Sequence, residues 1–225
     1  MKKYGLLIFV FALSVGLAFS TNCSFGGFKN LGGVQGSGTS KTETRNVSGF
    51  SKIDAGGAMN VEVSIQKNFS VEVQADDNLL ANIKTETSGD TLKIYSEDRI
   101  SPKTRISIKI SMPEIKGLDV SGASSGNVSN VNADSLELKA SGASKIKIDG
   151  TAKELNADAS GNSTIDAENL KAEDADVDAS GASSATVSAS GDLKVEASGA
   201  SKIAYVGEPK NIKQNSSGAS SVVKK

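Results

Sequence analysis

Acidic residues in the C-terminal half of the chain are the first candidates for chemistry. Asp174, Asp176 and Asp178 occupy every second position, the spacing that places side chains on one face of a β-strand. Carboxylate oxygens are ligands for Ca²⁺, and a polysaccharide lyase would combine such a site with a basic residue that abstracts a proton. Asp158 and Asp166 could extend the same face. Outward carboxylates that keep an extended surface soluble explain the pattern equally well, and we favour this second interpretation.

Nucleophilic catalysis has few possible participants in this sequence. The 225-residue chain contains no His, which removes the commonest general base for a nucleophilic hydroxyl. Arg99 and Arg105 flank Pro102 in a predicted loop, where we expect surface roles. The sequence therefore predicts a protein that is not an enzyme and needs no cofactor. The candidate nucleophiles, set aside for lack of a base, are Ser124, Ser144, Ser183 and Ser201.

Composition also limits the ligands. A formal net charge of −1 and 4% aromatic residues supply neither the basic surface nor the stacking platforms that nucleic acids require, so we expect no nucleic-acid partner. Sugars commonly stack on exposed aromatic rings, for which Tyr95 and Tyr205 are the candidates. Tyr205 falls on a predicted inward position, so we assign it to the core.

A sequence repeat must position these residues. In the second half of the chain the dipeptide Ser-Gly recurs at intervals of 20, 19, 20, 18 and 19 residues, and such a period is typical of a solenoid. The six recurrences begin at Ser121, Ser141, Ser160, Ser180, Ser198 and Ser217. Apolar and polar residues alternate on both sides of each Ser-Gly: Leu136 and Leu138 precede Ser141, and Ile146 and Ile148 follow it. Each unit is therefore predicted to be a strand, a tight glycine corner and a second strand, with one apolar face throughout.

Stacking buries the apolar face that a single unit must leave exposed. The predicted fold class is therefore all-β, a parallel β-helix with about 19 residues per repeat in the C-terminal half. Ala123 and its equivalents, two positions after each Ser, are expected to point inward, and the serines are expected to align and hydrogen-bond along the stack. Glycine adopts the backbone angles of a corner most readily; the predicted corners are Gly56, Gly57, Gly122, Gly142, Gly161, Gly181, Gly199 and Gly218.

The first half of the domain carries a weaker copy of the unit. Ile53 precedes Gly56 by three positions and Val61 follows it by five, the phase of the later repeats with Gly56 in place of Ser. We therefore expect residues 49–225 to form a single domain. Residues 208–225 replace inward apolar residues by polar ones and are expected to form a terminal cap, because the end of a solenoid must avoid edge pairing.

The N-terminus has the features of an export signal. Lys2 and Lys3 precede an apolar run, Leu6–Ala18, that is too short and too early to be a membrane-spanning helix. An ordinary signal peptide would comprise residues 1–20.

The single Cys of the chain offers a second interpretation of the N-terminus. Cys23 follows the apolar run, where a bacterial lipoprotein carries its lipidated cysteine, and the signal would then comprise residues 1–22. Residues 21–48, rich in Gly, Ser and Thr without an apolar period, are predicted to be a flexible tether. We therefore expect an exported protein: a lipoprotein of the outer membrane or cell surface, held in the membrane by its N-terminal lipid, or alternatively a periplasmic or secreted protein.

The segments after residue 49 resemble a known family, the putative auto-transporter adhesins with a head GIN domain. The resemblance lies in Phe50-Ser-Lys-Ile-Asp-Ala-Gly-Gly-Ala-Met-Asn-Val-Glu-Val, in Phe69-Ser-Val-Glu-Val-Gln-Ala-Asp-Asp-Asn-Leu-Leu and in Gly89-Asp-Thr-Leu-Lys-Ile. Gly57-Ala58-Met59-Asn60 stands where that family has its Gly-Ile-Asn-like signature, with Ala-Met in place of Ile. The resemblance implies a right-handed, pectin-lyase-like β-helix without a known active site, and a role in adhesion.

Three functions remain to be compared. The first is a non-enzymatic, adhesin-like head that binds an unidentified extracellular ligand or a copy of itself through extended polar faces. The second is a structural or stress-response protein of the envelope that faces the periplasm. The third, a polysaccharide-active β-helix enzyme, is the least consistent with the sequence.

Overall fold

The computed structural model describes residues 33–225, which contain strands and turns but no helix. Sixteen of the eighteen described strands form one sheet that winds into a solenoid, and β1 pairs separately with β8. In chain order the strands are β1 (Val34–Gln35), β2 (Ser40–Arg45), β3 (Lys52–Ala55), β4 (Asn60–Ile65), β5 (Ser70–Asp76), β6 (Ile83–Ser88), β7 (Thr91–Ser96), β8 (Ile100–Ser101), β9 (Ser107–Met112), β10 (Gly117–Val120), β11 (Ser125–Ala140), β12 (Lys145–Ala159), β13 (Thr164–Ala179), β14 (Ser184–Ala189), β15 (Asp192–Ala197), β16 (Lys202–Val206), β17 (Asn211–Ser216) and β18 (Ser221–Lys224).

Successive coils pair in parallel, in two series of strands. The first series runs β7, β3, β10, β11, β12, β13, β15, β17 and uses the C-terminal parts of the three long strands. The second series runs β9, β4, β11, β12, β13, β14, β16, β18 and uses their N-terminal parts. The predicted parallel β-helix is confirmed.

Coil length varies at the bend between the second series and the first. The pairing of β11 with β12 shifts between Val128 and Val131, and β12 with β13 and β13 with β14 show similar irregularities at the same level. Asn130 at this bend has φ 62°, a left-handed conformation that Asn tolerates better than most residues. Repeat intervals between 18 and 20 residues are therefore compatible with a constant register elsewhere.

Alternate side chains fill the interior. Leu138, Ala157, Val177 and Val195 lie opposite one another in adjacent coils and are fully buried. The position just before the glycine corner is buried and is Ala in most coils: Ala55, Ala140, Ala159, Ala179 and Ala197. An Ala-rich sequence with few aromatic residues therefore suits a narrow core.

Part of the predicted flexible tether is strand. β2 pairs antiparallel with β5 along its whole length, and β1 pairs in parallel with β8. Sequence alternation does not reveal β2 because its inner positions are the half-buried Glu43 and Arg45, which form an ion pair of 3.3 Å. Pairing of backbone groups with a strand distant in sequence, rather than apolar burial, orders this segment.

A buried carboxylate fixes the same N-terminal segment. Asp76 is fully buried and accepts hydrogen bonds from the backbone N–H groups of Gly38 and Lys103, each at 2.8 Å, and Thr104, at 3.1 Å. Burial alone would raise the pKa of Asp76, but these donors outweigh it and hold the pKa below its ordinary value. The ionised carboxylate therefore joins the turn before β2 to the loop before β9.

The last coil consists of β17 and β18. Gln214 lies opposite Val195 and Ser216 opposite Ala197, so polar residues continue the inward positions of β17. Every residue of β17 is exposed. That residues 208–225 act as a terminal cap stays a prediction.

Candidate functional site

The corner glycines stack in a column. The six glycines of the Ser-Gly repeats have φ between 73° and 75°, and a Cβ on Gly142 would lie 2.7 Å from the carbonyl oxygen of Gly122. A larger residue would therefore strain the backbone and push coils apart. Gly57, with φ 112°, continues the column in the first coil, whereas Gly56 occupies the Ser position beside Ser121. The six glycines of the Ser-Gly repeats are Gly122, Gly142, Gly161, Gly181, Gly199 and Gly218.

The side chains of the corner correct one prediction. Ala123 and Ala143 are exposed instead of pointing inward, and the Ser that follows each of them is buried. Counted backward along β11 from buried Val128 and Gly126, the inward alternation reaches Ser124, so the sequence contained this signal. The buried serines are Ser124, Ser144, Ser163, Ser183 and Ser201.

These serines bind backbone of the preceding coil rather than one another. Ser144 Oγ donates to the carbonyl oxygen of Val120 at 3.0 Å, and the equivalent bonds of Ser163, Ser183 and Ser201 measure 2.9 to 3.0 Å. Each hydroxyl is at most 2% exposed by residue. The candidate nucleophiles are therefore inaccessible structural groups.

The outward side chains of the first series form what we call the polar face. Parallel register aligns them in two rows across the coils. The first row is Thr91, Lys52, Gly117, Glu137, Asn156, Asp176, Lys194 and Lys213; the second is Lys93, Asp54, Asp119, Lys139, Asp158, Asp178, Glu196 and Asn215.

The acidic candidates divide between the two sides of the solenoid. Asp158 and Asp178 are neighbours in the second row, and Asp176 lies beside them in the first row. Asp166 lies on the other series, opposite Lys147. The predicted common face therefore does not include Asp166.

Asp176 and Asp174, two of the candidate calcium ligands, bind other groups of the protein. Lys194 forms ion pairs with Asp176 at 3.1 Å and with Glu196 at 3.2 Å. Asp174 Oδ1 accepts the backbone N–H of Asp192 at 2.7 Å. Over residues 33–225 no three acidic, His or Cys side chains stand together as metal ligands.

The surroundings raise the pKa of two carboxyls on the polar face. Burial and the neighbouring Asp54 raise the pKa of Asp119, and burial with Asp176 and Glu196 raises the pKa of Asp178. The shared causes are burial and the repulsion between like charges at adjacent positions of parallel strands, about 4.8 Å apart.

A groove crosses the polar face at Gly117. Gly117 lies between Lys52 and Glu137 in the first row, and the missing side chain leaves a recess of about 260 Å³. Asp119 and Lys93 belong to its walls. We call this recess the Gly117 groove; its side chains come from Lys52, Asp54, Thr91, Lys93, Asp119, Glu137 and Lys139. Sequence reasoning missed it, although a glycine at an outward strand position, between Lys116 and Leu118, was the available signal.

The two candidate tyrosines differ in exposure. Tyr205 packs against the core opposite Val187, as expected. Tyr95 is 38% exposed and lies on β7 two residues beyond Lys93, hence on the side of the Gly117 groove. Burial and Glu86 raise the pKa of its hydroxyl.

The other predicted residues lie elsewhere. Arg99 and Arg105 are exposed, before β8 and before β9. Cys23 and the export signal, over residues 1–22, lie outside the described residues. Within residues 33–225 there is no helix with the length and apolar character needed to traverse a bilayer.

Comparison with known proteins assigns the chain to a family. A family model described as "putative auto-transporter adhesin, head GIN domain" matches residues 49–209. The chain belongs to this family. The match includes the Gly117 groove and all corner glycines except Gly218. No curated protein matches the chain.

Solved structures share the fold of this head GIN domain protein. A putative adhesin from Bacteroides fragilis NCTC 9343 has a TM-score of 0.71 and 20% identity, covering 85% of this chain and 100% of its own. A putative adhesin from Parabacteroides distasonis ATCC 8503 has a TM-score of 0.56 and 20% identity, covering 85% and 99%. A putative lipid binding protein from the same strain has a TM-score of 0.51 and 22% identity, with the same coverage.

Proposed function

We propose that this protein is a non-enzymatic, exported, adhesin-like head that binds its ligand through the polar face. One observation carries the proposal: charged side chains are held in register on eight paired strands of the first series. Seven intervals between these strands give a face about 34 Å long at about 4.8 Å per strand. Many weak contacts on such a rigid face add into useful avidity.

The chemistry of the site favours binding over catalysis. The chain contains no His, and the recurring Ser hydroxyls donate to carbonyl oxygens inside the solenoid. The Gly117 groove, at about 260 Å³, lies below the range of about 300–1,000 Å³ typical of pockets that enclose a ligand. These features favour surface recognition over turnover of a polysaccharide.

Lipidation of Cys23 would place the head close to a membrane. Ten residues separate Cys23 from the start of β1, so they reach at most about 35 Å when fully extended. The proposed anchor would therefore hold the start of β1 within about 35 Å of the membrane. Labelled palmitate should enter the wild-type protein and not the Cys23→Ala variant; an unlabelled wild type would remove the anchor.

Surface exposure on intact cells tests the function. A membrane-impermeant biotin reagent should modify the exposed lysines of the head, such as Lys153 with a side chain 71% exposed, before the outer membrane is broken. Biotin labelling avoids the protease resistance expected of a solenoid. If the head reacts only after the outer membrane is opened, the adhesin proposal is wrong, and the periplasm-facing envelope role replaces it. A periplasmic protein labelled in the same cells serves as the control for membrane integrity.

A further inference from the structure

The Gly117 groove has hydrogen-bonding groups without protein partners. The ion pairs of this region join Lys116 to Glu114 and Lys139 to Glu137. The other charged wall residues, Lys52, Lys93, Asp54 and Asp119, enter no ion pair among residues 33–225. Charged donors and acceptors make the stronger hydrogen bonds with a ligand, and these four face one recess.

The charges of the groove balance. Its walls contain three Lys and three carboxylates, so neither a strongly acidic nor a strongly basic ligand gains from the net charge. A ligand with several hydroxyl groups can donate to the carboxylates and accept from the ammonium groups simultaneously. The volume of about 260 Å³ suits a single ring rather than a drug-sized molecule.

A peptide strand is a poor match for this position. β10 forms the floor and is paired on one side with β3 and on the other with β11. Its backbone N–H and C=O groups are therefore occupied, and strand addition needs a free edge. Gly117 itself is buried beneath the Lys52 side chain, so recognition in the groove must come from the surrounding side chains.

Tyr95 supplies an independent observation in the same place. It is the one aromatic residue among the large exposed apolar side chains of residues 33–225. Lys93 precedes it by two residues on β7, a separation of about 7 Å along a strand. Aromatic rings with a free face stack on the C–H face of sugars, while the hydroxyl remains at the water-exposed end.

We propose that the Gly117 groove and Tyr95 form a glycan-binding site for a neutral, hydroxyl-rich oligosaccharide. One sugar ring lies in the groove among the charged side chains, and another ring of the same oligosaccharide, farther along β7, stacks on Tyr95. This inference rests on the proposed function, because it names the class of ligand that the adhesin-like face would bind.

Titration with defined oligosaccharides tests the site. The purified full chain would be titrated with maltohexaose, xylohexaose, N-acetylchitohexaose and hexagalacturonate, with binding followed by saturation-transfer NMR and calorimetry. We expect saturable binding of at least one of the three neutral hexasaccharides. Tyr95→Ala and Gly117→Gln, the second of which fills the recess, should each weaken that binding by about tenfold or more, which is about 1.4 kcal/mol.

Matched variants separate the site from the rest of the solenoid. Asn127→Gln lies outside the polar face, in the second series opposite Lys147, and Tyr205→Phe alters the other candidate tyrosine; both should leave the affinity within about twofold. Gly117 lies outside the left-handed region. A Cβ there meets the flexible Lys52 side chain at 3.3 Å and the Glu137 carbonyl oxygen at 3.6 Å, an ordinary contact distance, so Gly117→Gln should fold. If it does not, Gly117→Ala and Tyr95→Ala still test the site.

Three results would overturn the inference: no saturable binding of a neutral hexasaccharide, binding of hexagalacturonate alone, or binding that survives both groove variants. The failure of this inference is distinguishable from that of the proposed function. If the head is labelled on intact cells but binds no glycan, only the glycan site is contradicted. A head protected behind the outer membrane contradicts the adhesin role and leaves binding in solution measurable.

Discussion

Substitution of one corner glycine should show what holds neighbouring coils at their spacing. Gly161 has φ 74°, and an added Cβ would lie 2.8 Å from the Gly142 carbonyl oxygen. In Gly161→Ala the left-handed conformation costs about 1–2 kcal/mol. Relief of the short contact must also lengthen the 2.7 Å hydrogen bond from Asn162 N–H to that oxygen, a further cost of about 1 kcal/mol. We expect the free energy of unfolding to fall by about 2–3 kcal/mol.

A second glycine separates the two contributions. Gly89, in the turn between β6 and β7, has φ 63° and no atom within 4 Å of an added Cβ. Gly89→Ala therefore carries the conformational cost without the contact, and should lose about 1–2 kcal/mol. Guanidinium unfolding followed by far-UV circular dichroism measures the free energy of unfolding of both variants. Equal losses in the two variants would refute the argument that coil contact requires glycine. Gly161→Asn, which tolerates the left-handed region but retains the Cβ, should fall between wild type and Gly161→Ala.

Three further predictions concern other contacts of the solenoid. Ser183→Ala should lower the free energy of unfolding by about 1 kcal/mol, because it removes one buried hydrogen bond while the Ala159 carbonyl still accepts the N–H of Ser180. Urea unfolding measures this loss, and an unchanged midpoint would contradict the role of the buried hydroxyl. The folded state lowers the pKa of Asp76 from 3.8, so the contribution of its carboxylate to stability should be complete above pH about 4 and disappear as the pH falls through the folded-state pKa. The melting temperatures of wild type and Asp76→Asn should therefore converge at low pH. A constant difference would refute a stabilising role for the ionised carboxylate. Prolines at positions 42 and 43 of β2 should accelerate amide hydrogen exchange in β5, because β2 pairs with the outer edge of β5 and protects it. Exchange in β13 serves as the internal control. Unchanged exchange in β5 would mean that β2 does not protect that edge.

Membership of the head GIN domain family and the solenoid itself were predictable before any coordinates. The alternation around Ser141 depends on which side chains can be buried in a two-residue period. The glycine corners depend on a left-handed backbone angle that other residues avoid, as the φ of 75° at Gly142 demonstrates. Both are local properties of the chain, so the sequence expresses them directly.

The sequence also contained information that was read incorrectly at the corners. Ala123 is exposed and Ser124 is buried, because the alternation is interrupted at exposed Gly122 and the inward positions resume at Ser124. A small apolar residue next to a polar one suggests the opposite orientation. The hydroxyl becomes acceptable inside only because a carbonyl oxygen of the preceding coil accepts its hydrogen bond, as for Ser144 and Val120.

By itself, the sequence determined the strand–corner–strand unit, the parallel stacking and the polar character of the faces, because these follow from side-chain alternation and backbone sterics within about 20 residues. Only the tertiary structure decided that β2 is a strand, that Asp76 joins two distant loops, and that Tyr95 and the Gly117 groove share one face. Each of these depends on residues from different coils. Their meeting is fixed by the register of backbone hydrogen bonds between strands far apart in the chain, and no local pattern encodes that register.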